Sequence, residues 1–451
     1  MKIAFVRPAI GPLAAGFDLD GSQMEPLGPM VLAALTPPDV EVVLRDDRFD
    51  PVTSPLAVDL VAITVETFTA ARAYSIADLH RAAGVRVVLG GLHPTLAPLE
   101  ARAHADALVL GDAEPVWRRV VADARRGQLE RCYDARALRA TPSAARRDLC
   151  RGLPYLPLSL IQLGRGCRNA CAYCAPSVFF GRQHHHRSVA QVVCEIEHHD
   201  LSTLFFVDDN IAADLTLLRA LCVALRPVGV RWVSQASLDI AEHPGLLDAM
   251  VASGCIGQVI GFETLRPQAL RAMGKVHNLR GWDGYRRAVC RLRQAGLQTW
   301  AAFTLGHDGD TEASIAEMVD FALDSGFAMA AFNLLMPYPG TALYRTLAQQ
   351  GRLLYDGQWW SHPDYRYGRA AFVPGSLTAD ALSVACRRAD ERFYRTSSIA
   401  RRALDRSNRG SVERLLLFGI YNLLYRRSLQ RSGDAFADLD ALRASGAPPS
   451  R

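Results

Sequence analysis

Short apolar runs bounded by turn residues alternate with longer stretches of helical periodicity through most of the chain. Such a run reads as a strand buried on both faces. Within residues 1–130, strands read at 2–7, 40–44, 58–65, 85–89 and 107–110. Helices read at 26–35, 68–83 and 114–126, the first stopped by Pro37-Pro38, with a short helix after Gly90-Gly91. This alternation predicts an α/β domain with a doubly wound parallel sheet, Rossmann-like in class. Residues 131–155, rich in Arg and Ala with scattered Pro, read as a connection between domains.

The alternation resumes beyond it. Strands read at 158–163, 203–207, 231–236, 258–261, 298–305 and 329–335, and helices at 189–198, 215–225, 245–252, 284–295 and 315–323. Six strand–helix units over residues 156–345 predict a partial (β/α)6 barrel, open at one side. Residues 346–451 read as mainly helical and Arg-rich. Within them Trp359-Trp360, Tyr365 and Tyr367 read as a packing cluster. Residues 415–425 form an apolar stretch between Arg414 and Arg426-Arg427. It is too short to span a bilayer and reads as a docked helix, or as one lying at an interface. The tail from residue 445 reads as disordered.

Composition narrows the class. A hydrophobic share of 49% and a charged share of 22% belong to a globular protein. The net charge of +5 comes without a dense basic run, so nucleic acid is not an expected partner. No apolar run reaches the roughly 18 residues of a membrane span, so stable insertion is not expected. The chain enters its first strand at once, which is the pattern of a protein without a signal peptide. Seven of the ten cysteines are scattered singly, as reduced thiols of a cytoplasmic protein would be.

The other three cysteines lie together in Gly164-Arg165-Gly166-Cys167-Arg168-Asn169-Ala170-Cys171-Ala172-Tyr173-Cys174, spaced C-x3-C-x2-C after the first barrel strand. α/β folds carry their chemistry at this end of their strands. Three thiolates fall short of the four ligands of a structural zinc site. They suit a 4Fe–4S cluster with one iron left open. The run His184-His185-His186 is no metal site, because adjacent side chains do not face one point.

The spacing, Tyr173 before the third cysteine and the preceding strand resemble the radical SAM superfamily. The resemblance implies that Cys167, Cys171 and Cys174 hold three irons and that the fourth takes the amino and carboxylate groups of S-adenosylmethionine. It implies an enzyme that makes a 5′-deoxyadenosyl radical and abstracts hydrogen from a small-molecule substrate. An electron donor such as flavodoxin or ferredoxin would serve it. Arg187-Ser188 would open the first barrel helix. By the same resemblance Asp208 and Asp209 sit near the S-adenosylmethionine ammonium, Glu263 near the ribose or methionine end, and Thr304 with the run Gly306 to Thr311 beside the adenine. Each of these polar groups could instead cap the following helix. Tyr338 falls at the mouth of the last strand, as a substrate-side residue or as a buried turn aromatic.

The N-terminal order of elements resembles the cobalamin-binding domain ahead of many radical SAM barrels. It implies cobalamin as a third cofactor and methyl transfer as the reaction, with cyclisation, rearrangement or oxidation without cobalamin as the alternative. Some cobalamin domains supply a lower cobalt ligand from D-x-H-x-x-G. Here Asp47-Arg48-Phe49-Asp50-Pro51 stands at that place, without a histidine. Arg48 either faces the lower side of the cobalt or pairs with Asp46 or Asp50. Thr64 and Gly90-Gly91 fall at strand ends where a ring or nucleotide tail would approach the backbone, although Gly90-Gly91 would equally serve a turn. His93 lies on the wrong strand end to ligate cobalt.

Overall fold

The computed structural model describes residues 1–10, 24–279 and 281–444. Strands β1 (Lys2–Arg7), β2 (Glu41–Asp46), β3 (Leu60–Thr64), β4 (Arg86–Gly90), β5 (Ala107–Leu110) and β6 (Cys132–Asp134) form one sheet in the order β2-β1-β3-β4-β5-β6. Every pair in it is parallel. Side chains alternate across a strand, so β1 sends Ile3 and Phe5 into one core and Ala4 and Val6 into another. The first core lies under the helices Leu27–Leu35 and Glu114–Arg126, through Ala33, Trp117 and Val120. The second lies under the helix Ala70–Ala82, through Ala73 and Ala77, and also takes Trp359 and Trp360 from the C-terminal segment.

Strand β6 corrects the sequence reading, which placed its residues in the connection. It is three residues long with only Tyr133 buried, so no period can show in it. It nevertheless completes the sheet by pairing with β5.

The second sheet holds β7 (Ser159–Ile161), β10 (Thr203–Phe206), β11 (Arg231–Ala236), β12 (Cys255–Glu263), β13 (Gln298–Leu305) and β14 (Met329–Leu334). Between β7 and β10 sits an antiparallel pair, β8 (Gly164–Arg165) with β9 (His185–His186). The order β14-β13-β12-β11-β10-β7 follows the chain and leaves β7 and β14 as edges, as an open barrel requires. The intervening helices cover one face, where Val192, Leu218, Leu246 and Met250 share a core with Ile161, Phe206, Trp232 and Phe303. Strand β12 outruns its apolar stretch at both ends, reaching Glu263.

Four helices follow, Ala342–Gln349, Ala379–Phe393, Thr396–Ala403 and Val412–Ala444. The last crosses the amino ends of β13 and β14, where Asn422 donates to the Ala328 carbonyl at 3.1 Å. The predicted disordered tail lies outside the described residues. At the opposite ends of the strands the two sheets meet. Arg165 of β8 reaches residues after β5, and Phe68, after β3, packs on Tyr338, after β14, with ring centroids 5.9 Å apart.

Candidate active site

The cysteine loop leaves β8 through Gly166, whose φ of +82° suits glycine, and a Cβ there would collide with the Gln183 carbonyl. Its amides are held by the carboxylates at the end of β10. Asp208 accepts from Leu163 at 2.9 Å and from Gly164 at 2.6 Å, and Asp209 accepts from Gly166 at 2.7 Å. Farther along, the Ala172 amide donates to the Met273 carbonyl at 2.8 Å and the Leu343 amide to the Ala172 carbonyl at 2.9 Å. The loop is therefore fixed from three barrel segments.

Burial raises both carboxyls, Asp208 to about 7, and the amides it accepts from pull the other way. Both oxygens of Asp208 and one of Asp209 are thus engaged with the loop itself. The sequence reading placed these acids at a bound ammonium; the observed hydrogen bonds make them anchors of the cysteine loop.

Burial also pushes the Cys171 thiol up to about 11, against the nearby Lys275 ammonium, and raises Cys174. Buried thiols of this kind become thiolates when a metal binds. Among the described residues no three His, Cys, Asp or Glu side chains converge as a single ion requires. Asn210 approaches Cys167, its amide nitrogen 3.9 Å from the sulfur, while also donating to Ser237 at 3.2 Å. Hydrogen bonds to cluster sulfurs tune the potential.

On the other side of the loop, Glu263 ends β12 with φ of +65°, where the β12–β13 register shifts. A non-glycine residue held there costs roughly 1–3 kcal/mol, which the surrounding structure must offset. Its carboxylate is ion-paired with Lys275, both side chains being buried. Gly261 leaves room for this pair, since a Cβ there would run into both head groups. Beside the pair lies a cavity of about 480 Å³ lined by Ala172, Tyr173, Met273, Gly306, His307, Leu335 and Leu343. Thr304 meets His307 at 2.8 Å, and Asp310 accepts from the Gly306 and His307 amides at 2.9 Å each. The β13 turn is thereby held rigid against the cavity, and burial keeps His307 below its ordinary value, hence neutral. Tyr338 sits at the seam, where burial raises its hydroxyl, with Tyr367, Glu66 and Cys174 adding to the rise.

The N-terminal sheet has its own cavity, about 200 Å³, between its strand ends and the helices Leu27–Leu35 and Glu114–Arg126. Phe5, Leu32, Ala62, Val88 and Trp117 make it apolar, and Thr64, Gly90, Gly91 and Gly111 form its mouth. At Gly91, φ is +104° and a Cβ would press on Val65 backbone atoms at 3.0–3.1 Å. Arg48 does not line this cavity. It lies beyond β2, the sheet edge, and its guanidinium binds Asp46 at 2.6 and 2.8 Å and the Met24 carbonyl at 2.8 Å. The pairing of Arg48 with Asp46 is thus present at the carboxyl end of β2. His93 is fully buried against Trp360 and Tyr74.

Arg165 joins the two sites. It lines the N-terminal cavity and pairs with Asp112 at 3.0 Å and Glu114 at 2.6 Å, two residues before Cys167. Arg165, Asn210 and Lys275 escaped the sequence reading as site residues, whereas His307 lies in the run Gly306 to Thr311 that it set beside the adenine. Of these three only Asn210 had a signal, its place in the strand-end run Asp208-Asp209-Asn210; Arg165 and Lys275 are assembled by tertiary contacts.

Residues 161–322 match the Radical SAM superfamily. Bacteriochlorophyllide d C-8(2)-methyltransferase of Chlorobaculum tepidum is 30% identical over 360 residues, covering 74% of this chain and 78% of that one. Bacteriochlorophyllide d C-12(1)-methyltransferase of the same organism is 28% identical over 396 residues, 85% of each chain. Among solved structures, the radical S-adenosylmethionine methyltransferase TsrM from Kitasatospora setae, with cobalamin and a [4Fe-4S] cluster bound, superposes with a TM-score of 0.68. That likeness is one of fold, at 16% identity over 96% of this chain and 99% of that one.

Proposed function

The chain belongs to the radical SAM superfamily, and from that premise we propose that it is a cobalamin-dependent methyltransferase acting on an unactivated carbon of a small molecule. The observation that carries this reading is the seam. A cavity at the strand ends of a doubly wound sheet shares Arg165 with the cysteine loop of the barrel, so a group bound in the first lies beside the second. The names of the two bacteriochlorophyllide relatives support methyl transfer. The cavity suits the nucleotide end of a corrinoid, being narrow, apolar and entered past glycines.

When bound, the cluster supplies the electron that cleaves S-adenosylmethionine to a 5′-deoxyadenosyl radical, and cobalamin supplies the methyl group. The protein's own part is to hold and orient. Cys167, Cys171 and Cys174 would take three irons, on a loop fixed by Asp208 and Asp209. Lys275 offers a cation to the carboxylate of S-adenosylmethionine, and Glu263 an anion to its ammonium or ribose. The cavity lined by Tyr173, Gly306, His307 and Leu335 would receive the adenosine. Thr64, Gly90 and Gly91 would face the corrinoid without a histidine on cobalt, while Tyr338 closes the seam against water. All ten cysteines are free, which supports work in a reducing cytoplasm served by a small electron carrier such as flavodoxin or ferredoxin.

The test is anaerobic reconstitution of the full chain with iron, sulfide and hydroxocobalamin. The visible spectrum should carry cluster and corrinoid bands together. The reduced corrinoid should give a paramagnetic resonance spectrum without histidine nitrogen splitting. Cleavage of S-adenosylmethionine in a protein that binds no corrinoid would overturn the methyl-transfer reading and leave the radical chemistry standing.

A further inference from the structure

The helix Val412–Ala444 docks with one face and leaves another uncovered. Phe418 and Asn422 are buried against the barrel, and Tyr421 packs at a tilt on Trp300 with centroids 5.6 Å apart. On the outward side Val412, Leu416, Ile420 and Leu423 are exposed by 77, 59, 51 and 54%. Their spacing of four, four and three residues places them on one stripe, and Arg427, also exposed, continues it. Exposed arginines stand at the other end as well, Arg406 and Arg409. Between residues 395 and 430 there are eight Arg against two acids, in a chain whose whole net charge is only +5.

We propose that this stripe docks the protein on an anionic lipid surface. An apolar stripe framed by arginines is the pattern of a helix lying in the headgroup layer, with aliphatic side chains below and guanidinium groups at phosphate level. No described helix is long and apolar enough to cross a membrane, so the contact is peripheral. Charge decides against a second copy of the chain. A second copy would bring the same excess of positive charge, ten Arg against five acids over residues 395–444, whereas an anionic surface answers it. The helix crosses the amino ends of β13 and β14, so docking leaves the cysteine loop and both cavities at the far end of the barrel, open to solution.

Co-sedimentation of the full chain with vesicles tests this. Binding should occur with phosphatidylcholine vesicles that contain phosphatidylglycerol, be weak with phosphatidylcholine alone, and fall with added salt. Arg409→Gln with Arg427→Gln, and separately Leu416→Gln with Ile420→Gln, should each lower vesicle binding by about tenfold. Thermal unfolding should match the parent in both, since the replaced side chains already face solvent. Equal binding to both vesicle types, binding unchanged by both pairs, or no binding at all would overturn the proposal. So would sedimentation velocity showing a dimer that the Leu416→Gln, Ile420→Gln pair dissociates, because the stripe would then be a self-association face.

Discussion

Both parallel sheets end in a cavity at the carboxyl ends of their strands, yet they are built to hold their contents in different ways. The barrel end is ionic: Asp208 and Asp209 grip the loop amides, and Glu263 with Lys275 stands beside Cys171. The N-terminal end is nearly neutral, with an apolar wall and a mouth of Thr64, Gly90, Gly91 and Gly111, and charge enters it only at Asp112, Glu114 and Arg165. A site that binds by charge and coordination can be damaged by a single atom. A site that binds by shape is damaged by bulk.

The sharpest break in that contrast is Cys171→Ala. Three thiolates are the fewest the cluster can use, so the variant should lose cluster absorbance and all formation of 5′-deoxyadenosine. Cys222→Ala, in the barrel core, should keep both and cost only packing, about 1 kcal/mol. Cleavage of S-adenosylmethionine by the Cys171→Ala protein would remove the loop from the chemistry.

Next in size is Glu263→Gln. It strips the charge partner from Lys275, and a buried ammonium left alone costs about 3–5 kcal/mol. The affinity for S-adenosylmethionine, read by calorimetry on the reconstituted protein, should fall by at least tenfold while the cluster spectrum stays. Unchanged affinity would reduce the pair to a structural brace.

The same contrast explains what the sequence could tell. Coordination has a local signature, so C-x3-C-x2-C with Tyr173, all within eight residues, and the strand before them named the loop and its chemistry. The six barrel strands were legible because each is an apolar run bounded by polar strand ends. Strand β6 was not, being three residues with one buried side chain. Arg165 and Lys275 were hidden for another reason. Each looks like an ordinary surface cation until the fold brings Asp112 and Glu114 to the one and Glu263 to the other. The pair of Arg48 with Asp46 was legible, by contrast, because its two members stand two residues apart.

Gly91→Val probes the shape side. The branched side chain meets Val65 backbone at a φ that disfavours it, and it crowds the cavity mouth. Strain of roughly 1–3 kcal/mol is expected, with corrinoid uptake at least tenfold weaker and the cluster spectrum untouched. If cluster assembly failed instead, the two sites would be one cooperative unit rather than two joined at a seam.

The smallest effect concerns that joint. Burial raises the Asp112 carboxyl to about 6; Arg165 acts against the rise and Glu114 with it. In the unfolded chain the same carboxyl returns to its ordinary value of 3.8. Between those two values the native state binds more protons than the unfolded state, so this group's contribution to stability falls as pH rises, by at most about 1.4 kcal/mol per pH unit. Above the native value the contribution is flat, and there the carboxylate is fully charged toward Arg165. Asp112→Asn removes the titration. Urea unfolding of the two proteins between pH 5 and 7 should therefore show the parent losing stability relative to Asp112→Asn up to about pH 6 and running parallel beyond it. Parallel curves throughout would mean that Asp112 keeps an ordinary carboxyl, open to water at the seam. In that case the contact between Arg165 and the first sheet would be a surface ion pair, worth about 0–1 kcal/mol, and the two cavities would share a wall without sharing a lock.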